Sequence, residues 1–111
     1  TEEFEEWMMS LTDKQQRATR RAINQLEQDG PALGRPYADT IRNSRFKNMK
    51  ELRISSQGAL RVLFAFDPER RAVLLLGGDK SEDSRWNDRY VGAIQRADDL
   101  FEEHLRKIGE K

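Results

Sequence analysis

The run from Arg45 to Lys80, RFKNMKELRISSQGALRVLFAFDPERRAVLLLGGDK, constrains the fold more than any other stretch of this chain. It reads as three β-strands joined by two tight turns. The first strand spans roughly Asn48 to Ser55. Period-two alternation puts Lys50, Leu52 and Ile54 on one face and Met49, Glu51 and Arg53 on the other. The second, Ala59 to Asp67, gathers Leu60, Val62, Phe64 and Phe66, with Arg61, Leu63 and Ala65 opposite. Ser56-Gln57-Gly58 between them suits a three-residue hairpin loop with glycine at the left-handed position. That register sets Arg53 across from Arg61; a four-residue loop would set Arg61 across from Leu52. Like charges directly opposite are destabilising unless something anionic sits between them.

Asp67-Pro68-Glu69-Arg70 fits a type I turn with proline at its second position. The third strand, Ala72 to Leu76, is uniformly apolar, which predicts a central strand covered on both faces. Gly77-Gly78 is expected to end it and to allow a close approach by another backbone or a ligand.

Helices flank this core. Phe4, Trp7, Met8 and Leu11 form the apolar stripe of a short amphipathic helix, with Glu3, Glu5 and Glu6 on its polar face. Thr12 and Gln15 have capping-box spacing and start a second helix that runs to about Asp29, burying Ala18, Ala22, Ile23 and Leu26. Gly30-Pro31 stops it. The two are expected to form a hairpin on one face of the sheet. Residues 31–44, with Pro31, Gly34 and Pro36, read as a surface loop without chemistry. Trp86, Tyr90, Ile94, Ala97, Phe101, Leu105 and Ile108 mark a long final helix, roughly 24 residues and about 35 Å. The expected fold is α+β: an N-terminal helix hairpin, a small antiparallel sheet of three to four strands and a long C-terminal helix. Residues 1–111 read as a single domain.

Charge narrows the function. The chain balances 20 Lys and Arg against 20 Asp and Glu, which argues against indiscriminate coating of nucleic acid. Residues 40–61 nevertheless carry six bases (Arg42, Arg45, Lys47, Lys50, Arg53, Arg61) and one acid, Glu51. Such a local patch suggests a defined anionic ligand. The absence of cysteine removes disulfide and thiolate chemistry and predicts an intracellular setting. With His104 as the single histidine, a zinc site is not expected, and no cofactor-binding glycine loop is present. The apolar run Ala72–Leu76 is too short to span a bilayer.

What remains is the set Lys47, Lys50, Arg53, Arg61 and Lys80. Guanidinium forks bind phosphate bidentately, and lysines act as point charges or proton donors. Such a set could cleave RNA without metal. The ribose 2′-hydroxyl attacks the adjacent phosphorus, and the chemistry needs a base, positive charge on the phosphorane oxygens and an acid for the leaving 5′-oxygen. Arg53 and Arg61 could instead be held by the ion partners Glu51 and Asp79. Basic strands also serve as solvated faces or as docking sites for acidic peptides. Trp86 reads as core before base stacking, Tyr90 as part of the helix stripe, and His104 as a surface residue beside Glu102 and Glu103.

Met49-Lys50-Glu51-Leu52-Arg53, Arg61-Val62-Leu63-Phe64 and Leu75-Leu76-Gly77-Gly78-Asp79-Lys80 together resemble the core of the RelE/ParE toxin superfamily, most closely its HigB branch of phage Gp49-like proteins. Gly30–Gly34, Trp86 and His104-Leu105 add to the likeness. The resemblance implies a type II toxin: a metal-independent, ribosome-dependent endoribonuclease that cuts mRNA in the cytoplasm and is neutralised by a helix-turn-helix antitoxin. Its partners would be mRNA, the ribosome and that antitoxin, with no membrane and no cofactor. Carried over, Arg53 and Arg61 match the arginines that hold the scissile phosphate. Lys80 and Lys50 complete the catalytic set; Arg45, Lys47 and Trp86 bind RNA; His104 is a candidate acid or base. Family members usually open with a strand before the first helix, so that strand is expected to be missing here. A ParE-like, non-cleaving inhibitor of DNA gyrase and an inactive scaffold that receives an antitoxin peptide stay open beside the nuclease.

Overall fold

The computed structural model describes residues 1–80 and 86–109, with the side chains of the final helix from Tyr90 onward. Its elements are α1 (Glu2–Met9), α2 (Asp13–Asp29), a 3-10 turn at Gly30–Ala32, β1 (Ala38–Thr40), β2 (Lys50–Ile54), β3 (Leu60–Phe66), β4 (Ala72–Asp79) and α3 (Trp86–Gly109). The strands form one antiparallel sheet in the order β1-β2-β3-β4.

Alternation along β2 and β3 builds two cores, one on each side of the sheet. Leu52, Ile54, Leu60, Val62 and Phe64 face α1 and α2, where they meet Phe4, Ala18 and Leu26. Met49, Leu63, Ala65 and Leu75 face α3, where Ile94, Ala97, Leu100 and Phe101 cover them. Full burial of one such side chain contributes about 1.5–3 kcal/mol. The layers are therefore helix hairpin, sheet, long helix, as the alternating strands and the helical stripes predict.

The helix starts follow from local chemistry. Thr12 accepts a hydrogen bond from the Gln15 backbone N–H at 3.2 Å, and the Gln15 side chain accepts one from the Thr12 N–H at 3.0 Å. This reciprocal box satisfies two donors that a bare helix end would leave unpaired. At the other end Gly30 takes φ 58°, and Pro31 follows it.

Three expectations about the sheet need correction. The fourth strand comes from the segment read as a loop: Ala38–Thr40 pairs with Leu52–Lys50 along the edge of β2. Its three residues are too few for a periodic signal. The apolar strand β4 lies at the sheet's edge, and β3 is flanked on both sides. The apolar character of β4 reflects cover from α1 and α3 on its two faces rather than a central place. Part of its outer edge is met by Thr1, whose amino group and hydroxyl donate to the carbonyls of Leu74 at 3.0 Å and Leu75 at 2.6 Å.

The third correction concerns the glycines, which continue β4 instead of ending it. Gly77 pairs with Val62, and Gly78 pairs with Arg61. A Cβ on Gly77 would fall 2.2 Å from ring carbons of Trp7. The missing side chain is what lets α1 lay its indole flat on the strand. Gly78 lies directly across from Arg61.

Candidate functional site

β2 and β3 pair Arg53 with Arg61, the register of the three-residue loop. Gly58 within that loop takes φ 94°, the left-handed value such a loop requires. Both arginines lie on the α3 face, at the end of the sheet where α3 begins. Glu51, two residues before Arg53 on the same face, resolves their repulsion. Its carboxylate reaches Arg53 Nε at 3.5 Å and Arg61 Nε at 3.5 Å, and Glu51 is 8% exposed. The ion-partner reading is therefore right for Glu51. The register sets Asp79 beside Leu60.

Tyr90, one turn into α3, completes the group by donating its hydroxyl to Glu51. Burial, then the charge and hydrogen bond of Glu51, push this hydroxyl well above the usual tyrosine range, against the opposing charges of Arg53 and Arg61. Tyr90 thus stays a neutral donor at physiological pH. Arg53 remains one-third exposed, and its Nη2 lies 3.4 Å from Asp39. Arg61 is more enclosed, with Nη1 donating to the Leu60 carbonyl at 2.9 Å. The cleft over this group is about 290 Å³, bordered by Thr40, Ile41, Glu51, Arg53, Tyr90 and Ile94.

The other residues singled out in the sequence fall in different places. Lys80 follows β4 two positions beyond Gly78, on the Arg61 side by alternation, and its N–H donates to the Ala59 carbonyl at 2.9 Å. Lys50 does not join the arginine pair: it pairs with Phe64 on the hairpin side, and its Nζ approaches the Pro31 carbonyl at 3.4 Å. Two-residue alternation makes this unavoidable for a position three before Arg53. Arg45 is spent on α3, paired with Asp99 at 3.0 Å and Glu102 at 3.5 Å. Lys47 is exposed on the adjoining loop. Trp86 is the first residue of α3, and its side chain lies outside the described residues.

His104 is held at the far end of the molecule. Its Nε2 lies 2.9 Å from Asp67, at the β3–β4 turn. Six residues of extended chain separate Arg61 from Asp67, about 20 Å at roughly 3.3 Å per residue. Along α3, Tyr90 and His104 are 14 residues apart, about 21 Å at roughly 1.5 Å per residue. Both rulers keep His104 from a phosphate held by the arginines, so it cannot act there as acid or base. Glu51 and Tyr90 are the groups that sequence reasoning did not assign to the site. Glu51 was visible as the lone acid of the basic stretch. Tyr90 was hidden in a helical stripe that also serves the core.

Comparison with known proteins places this geometry in a family. The model of the phage-derived Gp49-like proteins (DUF891) matches residues 6–102. The chain belongs to the Gp49-like family. Two relatives from Mycobacterium tuberculosis (strain H37Rv) carry the names "Putative toxin HigB2" and "Putative toxin HigB3". The first is 47% identical over 109 residues, covering 96% of this chain and 53% of that protein. The second is 45% identical over 105 residues, covering 92% of this chain and 91% of the relative. The chain thus spans about half the length of the first and nearly all of the second. No solved structure matches it. The likeness to the HigB branch inferred from the strand motifs is borne out. Among the described residues, no group of His, Asp and Glu could hold a metal ion, and no helix is long and apolar enough to cross a membrane.

Proposed function

We propose that residues 1–111 form one domain that acts as the toxin of a type II toxin–antitoxin pair, cleaving ribosome-bound mRNA in the cytoplasm without a metal ion. The observation that carries this reading is the cross-strand pair Arg53–Arg61 on one carboxylate, Glu51, with the Tyr90 hydroxyl on that same carboxylate. Two guanidinium groups side by side supply the positive charge that a phosphorane needs. Lys80, on the neighbouring strand end, adds to that field.

The remaining roles follow from the same geometry. Glu51 is the candidate base for the 2′-hydroxyl proton, held in place by the two arginines. Tyr90, kept protonated by its surroundings, is the candidate acid for the departing 5′-alkoxide, a far stronger base than phenolate. The product is a 2′,3′-cyclic phosphate on one fragment and a free 5′-hydroxyl on the other. The names of the M. tuberculosis relatives support the toxin role and, with it, a cognate antitoxin as partner. A helix-turn-helix protein is the partner that the resemblance to the HigB branch implies.

One observation favours a second reading. Glu51 already engages both guanidinium groups, as it would if they were only framework. The chain would then be a non-cleaving inhibitor of DNA gyrase. Mapping 5′ ends of cellular mRNA after brief induction separates the two. The nuclease reading expects new cuts inside translated regions, lost with Arg61→Ala. Growth arrest with intact mRNA and damaged DNA would replace it by the gyrase reading.

A further inference from the structure

We propose that the groove between α2 and the chain entering β1 receives a nucleobase of single-stranded RNA, stacked on Tyr37, from the nucleotide next to the one whose phosphate Arg53 and Arg61 hold. The proposal rests on the RNA reading above and adds to it the residues that would grip the flanking nucleotide. Tyr37 is 60% exposed, and among the described side chains it is the one aromatic ring that joins neither core. Stability does not require an aromatic residue there.

Its position is fixed. The Tyr37 N–H donates to the Gly34 carbonyl at 3.0 Å, and its carbonyl accepts from the Arg53 N–H at 2.8 Å. The β1–β2 register, carried one residue beyond Ala38–Leu52, sets Tyr37 directly across from Arg53, as Arg53 is across from Arg61. The backbone of Tyr37 is thus tied to Arg53, whose cross-strand partner is Arg61, and Tyr37 and Arg53 both line the groove beside α2. A platform that is already ordered loses little entropy on binding.

The groove suits the guest. It encloses about 640 Å³, with Ala22, Leu33 and Ile54 as apolar floor and Arg21 and Arg53 at its rim. Its volume lies in the range of small-ligand sites. Among the described residues no carboxylate lies within ion-pair reach of Arg21. The groove's own acid, Asp29, accepts a hydrogen bond from the Gln25 amide at 2.6 Å. An aromatic platform between two guanidinium groups is the arrangement that takes a base together with the phosphates on either side of it. Arg53 lines both this groove and the cleft over Glu51, so one strand of RNA would run from one to the other.

The test is the affinity of the full chain for a fluorescein-labelled ten-nucleotide RNA, 2′-O-methylated to prevent cleavage, measured by anisotropy. The unaltered chain, Tyr37→Ala, Tyr37→Phe and Arg61→Ala are compared. The proposal expects Tyr37→Ala to raise Kd by about 5- to 150-fold, the equivalent of about 1–3 kcal/mol of stacking at tenfold per 1.4 kcal/mol. Tyr37→Phe, which keeps the ring, should bind within about twofold of the unaltered chain. Unchanged affinity in Tyr37→Ala beside a large loss in Arg61→Ala would overturn the groove and leave the RNA reading standing. An unaltered chain that does not bind the oligonucleotide overturns the groove and leaves cleavage of ribosome-bound mRNA to its own assay. A folded Tyr37→Ala is confirmed by its circular dichroism and melting temperature.

Discussion

Glu51 and Asp67 are two buried carboxylates that solve different problems at opposite ends of the sheet. Glu51 lets two arginines face each other. Asp67 organises the β3–β4 turn, accepting from the backbone N–H groups of Glu69 at 2.9 Å and Arg71 at 3.0 Å and from His104. Burial alone would raise its pKa. The His104 ring, those two N–H groups and the Arg71 guanidinium outweigh that and hold it below the usual aspartate range. A carboxyl depressed by folding stabilises the protein above its unfolded pKa, and that contribution disappears as pH falls through the folded value. Melting temperature should therefore drop on acidification below about pH 4. Asp67→Asn should cost about 1–3 kcal/mol at pH 7 and flatten the acid limb. An acid limb as steep in Asp67→Asn as in the original would contradict this account. The depressed carboxyls of Glu3 and Asp39 leave some acid sensitivity in either case. Only part of this was legible in the sequence. The Arg53–Arg61 pair could be read from alternation and loop length, which are local. The Asp67–His104 contact joins residues 37 positions apart, and nothing near His104 announces it.

Among the elements, β4 shows how composition can mislead about position. Its apolar run predicts a central strand, yet cover by helices on both faces produces the same run at an edge. The helices were more legible because caps and 3.6-residue stripes are written in adjacent residues. β1 is not, since three residues after a glycine- and proline-bearing segment carry no period. Gly77 read as a place of close approach, and the approaching group is the Trp7 indole. Gly77→Ala should therefore destabilise the fold by about 1–3 kcal/mol, the usual cost of forcing extra volume into a packed contact. Chemical denaturation measures it. A stability within about 0.5 kcal/mol of the original would mean that α1 does not rest on β4 as described.

At the scale of the whole molecule, the sheet is covered by the hairpin on one side and α3 on the other. The arginine pair lies where the cover of α3 begins, with Gly78 across from Arg61. The basic stretch of the sequence does not become one basic surface. Lys50 goes to the other face, Arg45 is tied to α3, and Arg53 and Arg61 remain together. This division leaves a chain of zero net charge with a confined pair of arginines on one face of the sheet. Alternation predicts most of it, whereas the course of α3, which delivers Tyr90 and removes His104, is set by long-range packing.

The most direct test uses ribosomes stalled on a defined mRNA, mixed with the purified chain in EDTA, with the ends of any fragments identified by mass spectrometry. The account predicts cleavage to a 2′,3′-cyclic phosphate and a 5′-hydroxyl. It predicts losses of about 100-fold or more in Arg61→Ala, the scale of removing one preorganised transition-state donor, and a smaller but clear loss in Tyr90→Phe. Intact mRNA, or cleavage that survives Arg61→Ala, would contradict it.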